Sequence, residues 1–413
     1  MSTPRPGSAA AVLGTTGNGV EHLPYGSFTV GSAPPRLGVR LGDNVLDVGT
    51  VLALAGDDVS ATAREAVDSP SLDGLLACPK AVWDEVRDTL QETLQNAADT
   101  DSIVALAVPV AEATLGLPFT VADYVDFYGN EFHARNVGRI FRPHTEPLTP
   151  NWKHLPIGYH GRSGTIAPSG TDFPRPQGIR AEPEGAPGFG PSRRLDIEAE
   201  VGFVLGSPVP GGRVPIAEAE QHIFGLTLTN DWSARDIQSF EYVPLGPNLG
   251  KSFRTTISPW VTPLAALAEA RVAPPPRDTP LSTYLDDSDT DPWSFDLQIE
   301  IALNGEVVAV APFAETYWTA AQMLAHMTVN GADLRAGDFF AGGTVSGPAR
   351  NQRGSFLEIC WGGSEPLTLK DGSEFTFLRD GDEVSMRATA PGPGGSVIAL
   401  GECTGRVLPP VTG

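Results

Sequence analysis

The chain is 413 residues long, with 41% hydrophobic and 19% charged residues, the make-up of a folded protein with room for two or three domains. Its formal net charge of -22 excludes a nucleic-acid partner, whose phosphates need a basic footprint, and an anionic membrane surface. No apolar run approaches the roughly 20 residues of a membrane span, and three scattered cysteines without a CxxC pair point to a reducing cytoplasm rather than a disulfide or zinc–thiolate framework.

Residues 1–20 read as a flexible polar leader, too poor in apolar residues for a signal peptide. Alternation in Leu37–Leu41 and Val45–Val48 about Gly42-Asp43-Asn44 predicts a β-hairpin. From Val82, the spacing of Val82, Val86, Leu90 and Leu94 predicts one face of a helix. A domain boundary is expected near residue 118, dividing the chain into 21–118 and 119–413. Beyond it, Leu195–Val204 and Phe224–Thr229 read as strands. Asn304-Gly305 between Ile299–Leu303 and Glu306–Val308 is the strongest short hairpin signal in the chain. A helix is expected over Thr316–Met327, and a further hairpin of Phe377–Leu378 with Glu383–Met386 around Asp380-Gly381. Few helices, many strands and abundant turns predict a mainly β fold with some α, of the roll or sandwich type.

Two apparent motifs fail on spacing. Gly250-Lys251-Ser252 resembles the end of a phosphate loop, but the leading glycine would fall on Leu245. Gly343-Thr344-Val345-Ser346-Gly347 has its serine one place late for a nucleophile elbow.

Four segments carry potential chemistry. Asp196, Glu198 and Glu200 alternate, so on one strand they form a row of carboxylates. Such a row suits a hard ion such as Mg²⁺ or Ca²⁺, or else is a solvated acidic face. Asp231, in Asn230–Asp236, sits where a strand ends and a helix opens. It is a site residue or a turn former, with Ser233 and Asp236 in capping-box-like spacing. Asp126, Tyr128 and His133 lie in a dense aromatic and ionisable stretch, where His133 is either a base or a satisfied buried ring. Glu358, in Phe356–Trp361, reads as a charge within an apolar strand, costly unless partnered or turned to solvent.

Longer strings then tie these segments together: His133-Ala134-Arg135-Asn136-Val137-Gly138, Asn151-Trp152-Lys153-His154-Leu155-Pro156, Asn230 through Gln238, Tyr242-Val243-Pro244-Leu245-Gly246-Pro247, and Gly342-Gly343-Thr344-Val345-Ser346-Gly347. On these the chain resembles the fumarylacetoacetase family from about residue 22 onward. The resemblance implies a small SH3-like N-terminal β-barrel, a larger C-terminal mixed β-roll and a cytoplasmic homodimer. It implies hydrolytic cleavage of a carbon–carbon bond in a small dianionic diketo acid, 4-fumarylacetoacetate, to fumarate and acetoacetate, the last step of tyrosine and phenylalanine catabolism.

Carried over by position, Asp126, Glu198, Glu200 and Asp231 would bind Ca²⁺ and/or Mg²⁺, with Lys251 and Thr255 at a second, magnesium-type site. His133, oriented by Glu358, would activate water. Arg235, Gln238 and Lys251 would stabilise the oxyanion, while Tyr128, Arg142, Tyr159, Gln238, Tyr242 and Thr344 would contact substrate. Related activities of the same superfamily (an acylpyruvate hydrolase or oxaloacetate decarboxylase) and a non-catalytic calcium-binding β-protein are the alternatives. Arg254 departs from the pattern, standing where the family has glycine; if that position needs a positive φ, the loop is strained and the Thr255 contact is lost.

Overall fold

The computed structural model describes residues 4–96, 98 and 100–411. The N-terminal hairpin forms as expected from Arg36–Leu41 and Asn44–Asp47. It extends into a five-stranded antiparallel sheet ordered Val108–Pro109, Asn44–Asp47, Arg36–Leu41, Tyr25–Thr29, Thr114–Leu115. Val48, assigned to a strand by alternation, instead begins a helix, because the Asp47 side chain accepts the Thr50 N–H at 2.7 Å and caps Val48–Leu54. The helix Lys80–Gln95 buries Val86, Leu90 and Leu94 as anticipated, with Trp83 added and Val82 only half-buried. The leader is a correction. Ser8 caps a helix over Ala9–Leu13, whose Ala9 and Ala10 are buried against Lys80–Gln95 and Thr100–Leu106. A run of three alanines, small and strongly helix-forming, explains this docking.

The rest of the chain is built on two sheets. The larger, mixed sheet has the order Gly158–His160, Asp123–Phe127, Asp338–Ala341, Ala199–Leu205, Ile223–Asp231, Thr255–Ile257, Ile166–Pro168. Two of its pairings are parallel, Asp123–Phe127 with Asp338–Ala341 and Thr255–Ile257 with Ile166–Pro168. The second sheet runs Glu306–Pro312, Gln298–Leu303, Glu383–Pro391, Val397–Leu408, Phe173–Pro174. Side chains of both sheets, Phe203, Leu226 and Leu228 from one and Ile299, Ile301, Met386 and Leu400 from the other, share one apolar core. The opposite face of the larger sheet, through Val204, Phe224, Ile257 and Phe339, merges with the core of the N-terminal elements.

The Asn304-Gly305 turn is present, with both residues at positive φ (49° and 81°), as a type I′ hairpin requires. Two expectations change. Phe377–Leu378 is not a hairpin arm: Leu378 bridges Leu195, and Glu383–Pro391 pairs with Val397–Leu408 and Gln298–Leu303. The helix expected from Thr316 spans Ala320–Thr328, since Thr319 and Gln322 close a capping box there. The fold is mixed and mostly β, and no described helix is long and apolar enough to cross a membrane.

Candidate active site and metal cluster

Strand register brings the acidic residues to one end of the larger sheet. Asp126 lies beside Ala341 on one side and Tyr159 on the other. Glu200 opposes Thr229, and Asp231 opposes Thr255. Because Ala199–Leu205 begins where Ile223–Asp231 ends, residues far apart in sequence meet at a single edge of the core. All are buried. The row Asp196, Glu198, Glu200 is therefore no solvated face, and it is not one strand either. Leu195–Asp196 and Ala199–Leu205 are separate strands, the first paired to Ser233–Ala234. Asp196 turns away from the other two carboxylates. It accepts Arg235 Nε at 2.8 Å and the N–H groups of Phe356 and Leu357 at 2.8 and 3.1 Å.

Asp126, Glu198 and Glu200 offer carboxylate oxygens that all lie within 4.8 Å of one another. Asp231 stands beside this trio, held by Lys251 Nζ at 2.6 Å and Thr255 Oγ1 at 3.0 Å. Glu198 is ionised: burial pushes its carboxyl up, but Lys251, Arg235 and His133 outweigh burial and hold it at about 2. Asp126 and Glu200 shift the other way, well above the usual range, through burial first and neighbouring carboxylates second. Asp126 Oδ1 and Glu200 Oε1 are buried without any protein hydrogen-bond partner. Of the two buried cations, Arg235 is shared with Asp196, so Lys251 and Arg235 leave the four carboxylates Asp126, Glu198, Glu200 and Asp231 short of positive charge. Two orphaned hard oxygens and that charge shortfall fit a divalent cation bound by oxygen. Gly343 completes the cradle. It takes φ +90°, its N–H reaches Glu200 Oε2 at 3.2 Å, and a Cβ there would lie 2.5 Å from the Phe127 carbonyl oxygen.

His133 sits in the first turn of the helix Glu131–Phe141, started by Asn130, whose side chain accepts the His133 N–H at 3.0 Å. Its Nδ1 contacts Glu358 Oε2 at 2.7 Å, and its Nε2 lies 3.9 Å from Glu198 Oε1. Glu358 is not in a strand. It lies in the short helix Phe356–Ile359, fully buried, and accepts Asn136 Nδ2 (2.9 Å), Ser346 Oγ (3.0 Å) and Ser355 Oγ (2.8 Å) besides His133. Burial pushes its carboxyl up, yet the His133 ring and these donors bring the net value below the ordinary carboxylate range. Glu358 is thus the acceptor and Nδ1 the donor, so that in the neutral ring Nε2 is the nitrogen that keeps its lone pair.

Arg235 opens the helix Arg235–Glu241 and pairs with Asp196 and Glu198, while Nη2 stays buried without a partner. Burial opposes its charge, but Glu198 and Asp196 more than compensate and raise its pKa. No capping box precedes this helix: Ser233 Oγ donates to the Asp231 carbonyl, and Asp236 is occupied by Ser192 Oγ and the Arg193 N–H. Lys251 Nζ donates to Glu198 and Asp231. As an ammonium it has no lone pair for a metal and supplies positive charge instead.

A cavity of about 400 Å³ opens onto this cluster. Asp126, His133, Glu198, Glu200, Arg235 and Lys251 line its floor, and Tyr128, Arg142, Tyr159, Gln238, Tyr242 and Thr344 line its walls. Asp231 and Thr255 border an adjoining cavity that shares Tyr159 and Lys251, and Glu358 stands behind His133. Thr344 Oγ1 is buried and unpartnered. Gln238 Oε1 accepts Arg235 Nη1 at 3.2 Å. The feared strain at Arg254 is absent. Its φ is not positive, Thr255 keeps its bond to Asp231, and the guanidinium lies 5.7 Å over the Phe173 ring. Sequence reading missed Asp196 as a clamp and Asn136, Ser346 and Ser355 as holders of Glu358. The first stood in plain view within the acidic row, and Ser355 stands in the S-x-x-E spacing of a helix N-cap with Glu358; Asn136 and Ser346 are single polar residues with no spacing to betray them.

The family model described as fumarylacetoacetase N-terminal matches residues 21–118, and that described as fumarylacetoacetate hydrolase C-terminal matches 124–408. Fumarylacetoacetase of Rattus norvegicus is 43% identical over 407 residues, covering 94% of this chain and 96% of its own; that of Homo sapiens is 42% identical with the same coverage. The relative from Arabidopsis thaliana is 40% identical over 405 residues, with 94% and 95% covered. Among solved structures, fumarylacetoacetate hydrolase from psychrophilic Exiguobacterium antarcticum superposes with a TM-score of 0.52 at 15% identity, covering 94% of this chain and 99% of that one, which shows a shared fold. With both segments matched and full-length relatives above 40% identity, the chain belongs to the fumarylacetoacetase family.

Proposed function

We propose that the protein hydrolyses the carbon–carbon bond of 4-fumarylacetoacetate, giving fumarate and acetoacetate. One observation carries the chemistry: the free Nε2 of His133, backed by the Glu358 carboxylate, opens into the same small cavity as the carboxylate cluster and the buried cations Arg235 and Lys251. His133 takes a proton from water, and the hydroxide adds to a carbonyl carbon of the diketone. The oxygen that gains charge needs donors. Arg235, with its unspent Nη2, Lys251 and the Gln238 amide are of the right type and share the cavity. Collapse breaks the bond between the carbonyl carbon and the adjacent carbon, which leaves as an enolate and takes up a proton. Arg142 and the tyrosines at the walls suit the substrate's carboxylates and hold it in register.

Asp126, Glu198, Glu200 and Asp231 would hold Ca²⁺ or Mg²⁺. When bound, the ion supplies Lewis-acid polarisation of the diketone oxygens. The family reading also proposes an SH3-like barrel, consistent with the five-stranded antiparallel sheet of residues 25–115, and a cytoplasmic homodimer acting in aromatic amino-acid breakdown. The direct test follows diketone absorbance with wild type and His133→Ala. Wild-type cleavage that falls at least about 100-fold in the variant is expected for a general base, and turnover within a few-fold of wild type removes His133 from that role.

A further inference from the structure

The short helix Arg235–Glu241 carries two of the groups used above, Arg235 and Gln238, and ends on a glutamate. A carboxylate is disfavoured at a helix C-terminus, where the backbone dipole is negative, so its position there needs a compensating interaction. Glu241 finds one in the chain just beyond. Its Oε1 accepts the N–H groups of Asn248 and Gly250 at 2.9 and 2.7 Å, and its Oε2 accepts that of Leu249 at 3.1 Å. Three successive amides converging on one anion form a nest, and bonds to a charged acceptor are about twice as strong as neutral ones.

The same turn is held at the other end of the helix, where the Ala234 N–H donates to the Gly250 carbonyl at 2.8 Å. Gly250 leaves no space between turn and helix, since a Cβ there would lie 2.7 Å from the Gln238 nitrogen. Within the turn, the Lys251 and Ser252 N–H groups both donate to the Asn248 carbonyl. The next side chain, Lys251, enters the cavity. In the intervening segment the Gly246 N–H donates to the Tyr242 carbonyl at 2.7 Å, while Val243 is 67% and Leu245 95% exposed.

We propose that Glu241 is a positioning residue: by gripping residues 248–250 it fixes the backbone from which Lys251 reaches into the cavity, and it acts on the reaction only through that lysine. This rests on the hydrolytic reading above. A side chain displaced by about 1 Å costs on the order of 100-fold in rate, so Glu241→Ala should lower kcat by between about 10- and 100-fold with a smaller change in KM. Glu241→Gln should fall between, because one amide oxygen retains the two bonds made by Oε1.

The decisive measurement is a double-mutant cycle with Lys251→Met. In that background Glu241→Ala should change kcat by less than about twofold, the mark of two residues acting as one unit. Independent, multiplying losses, or a Glu241→Ala variant at the wild-type rate, overturn the proposal. Hydrogen exchange provides a readout that needs no turnover: the amides of 248–250 should lose protection in Glu241→Ala and partly in Glu241→Gln, while the strand Ile223–Asp231 keeps its own. Unchanged amides in both variants overturn the proposal even if fumarylacetoacetate is not the substrate, whereas an inactive wild type with the expected exchange pattern refutes only the hydrolytic reading.

Discussion

Replacing Glu358 by glutamine tests whether the carboxylate sets the tautomer of His133 or merely fills space. The change is isosteric, and its consequence follows from the bonds Glu358 makes. Asn136 Nδ2 donates to Oε1, so the glutamine amide oxygen stays there and the new NH₂ takes the place of Oε2. Its two hydrogens serve His133 Nδ1 and one of the Ser346 and Ser355 hydroxyls, which rotates to accept, and the other hydroxyl loses this partner. His133 Nδ1, which donated at 2.7 Å, must now accept. The ring proton moves to Nε2, and the nitrogen facing the cavity loses its lone pair. The full general-base contribution is then forfeited, about 10²–10⁴ in kcat, or roughly 3–5 kcal/mol at 1.36 kcal/mol per decade. Stability should fall much less, about 1–3 kcal/mol for a weakened buried acceptor. The assay is diketone absorbance at saturating substrate, with thermal unfolding as the control for fold. A folded Glu358→Gln protein within threefold of the wild-type kcat would refute the tautomer argument.

Three further outcomes are expected. In EDTA-treated protein Asp126 and Glu200 retain protons that the unfolded chain sheds above its ordinary values of 3.8 and 4.5, so this contribution to stability is present at low pH and lost as pH rises. Its Tm should fall as pH rises above those ordinary values, and the rise on adding Ca²⁺ or Mg²⁺ should grow with pH; a Tm indifferent to the ion speaks against the cluster. His22 is buried between the Gly17 carbonyl and Thr262 Oγ1, and burial lowers its pKa to about 3 from 6.5. Its contribution is therefore present above pH 6.5 and lost as pH falls toward 3, and His22→Gln should flatten the acid side of the wild-type Tm profile. Arg254→Gly should leave kcat within about twofold and cost about 0.5–1 kcal/mol of stability from the lost Phe173 contact; a large gain in activity would mean that the arginine does distort the loop.

The sequence made local order legible wherever one stretch of chain decides it. Asn304-Gly305 dictates its own turn, and Val86, Leu90 and Leu94 report a helix face without outside help. Residues 1–20 read as a loose leader because Ala9 and Ala10 look neutral until a groove exists to receive them. Glu358 reads as part of a strand because its apolar neighbours suit either periodicity, and only the Ser355 cap settles a helix. The full set of site residues comes from the family resemblance, and their convergence rests on strand register, which no local pattern encodes. Asn136 illustrates the limit: it is an ordinary polar residue until Glu358 arrives beside it from a distant part of the chain.

The parallel pairing of Asp123–Phe127 with Asp338–Ala341 has a consequence for biogenesis. The nascent strand bearing Asp126 can pair early with Gly158–His160, but its other edge has no partner until Ala341 has emerged, more than half the polypeptide later. Contacts of such long sequence separation form slowly, because the entropy of closing the intervening loop precedes any reward from pairing. Until then the apolar edges of the early strands stay open to aggregation, so output of functional protein in a cell should depend on how well ribosome-bound intermediates are shielded.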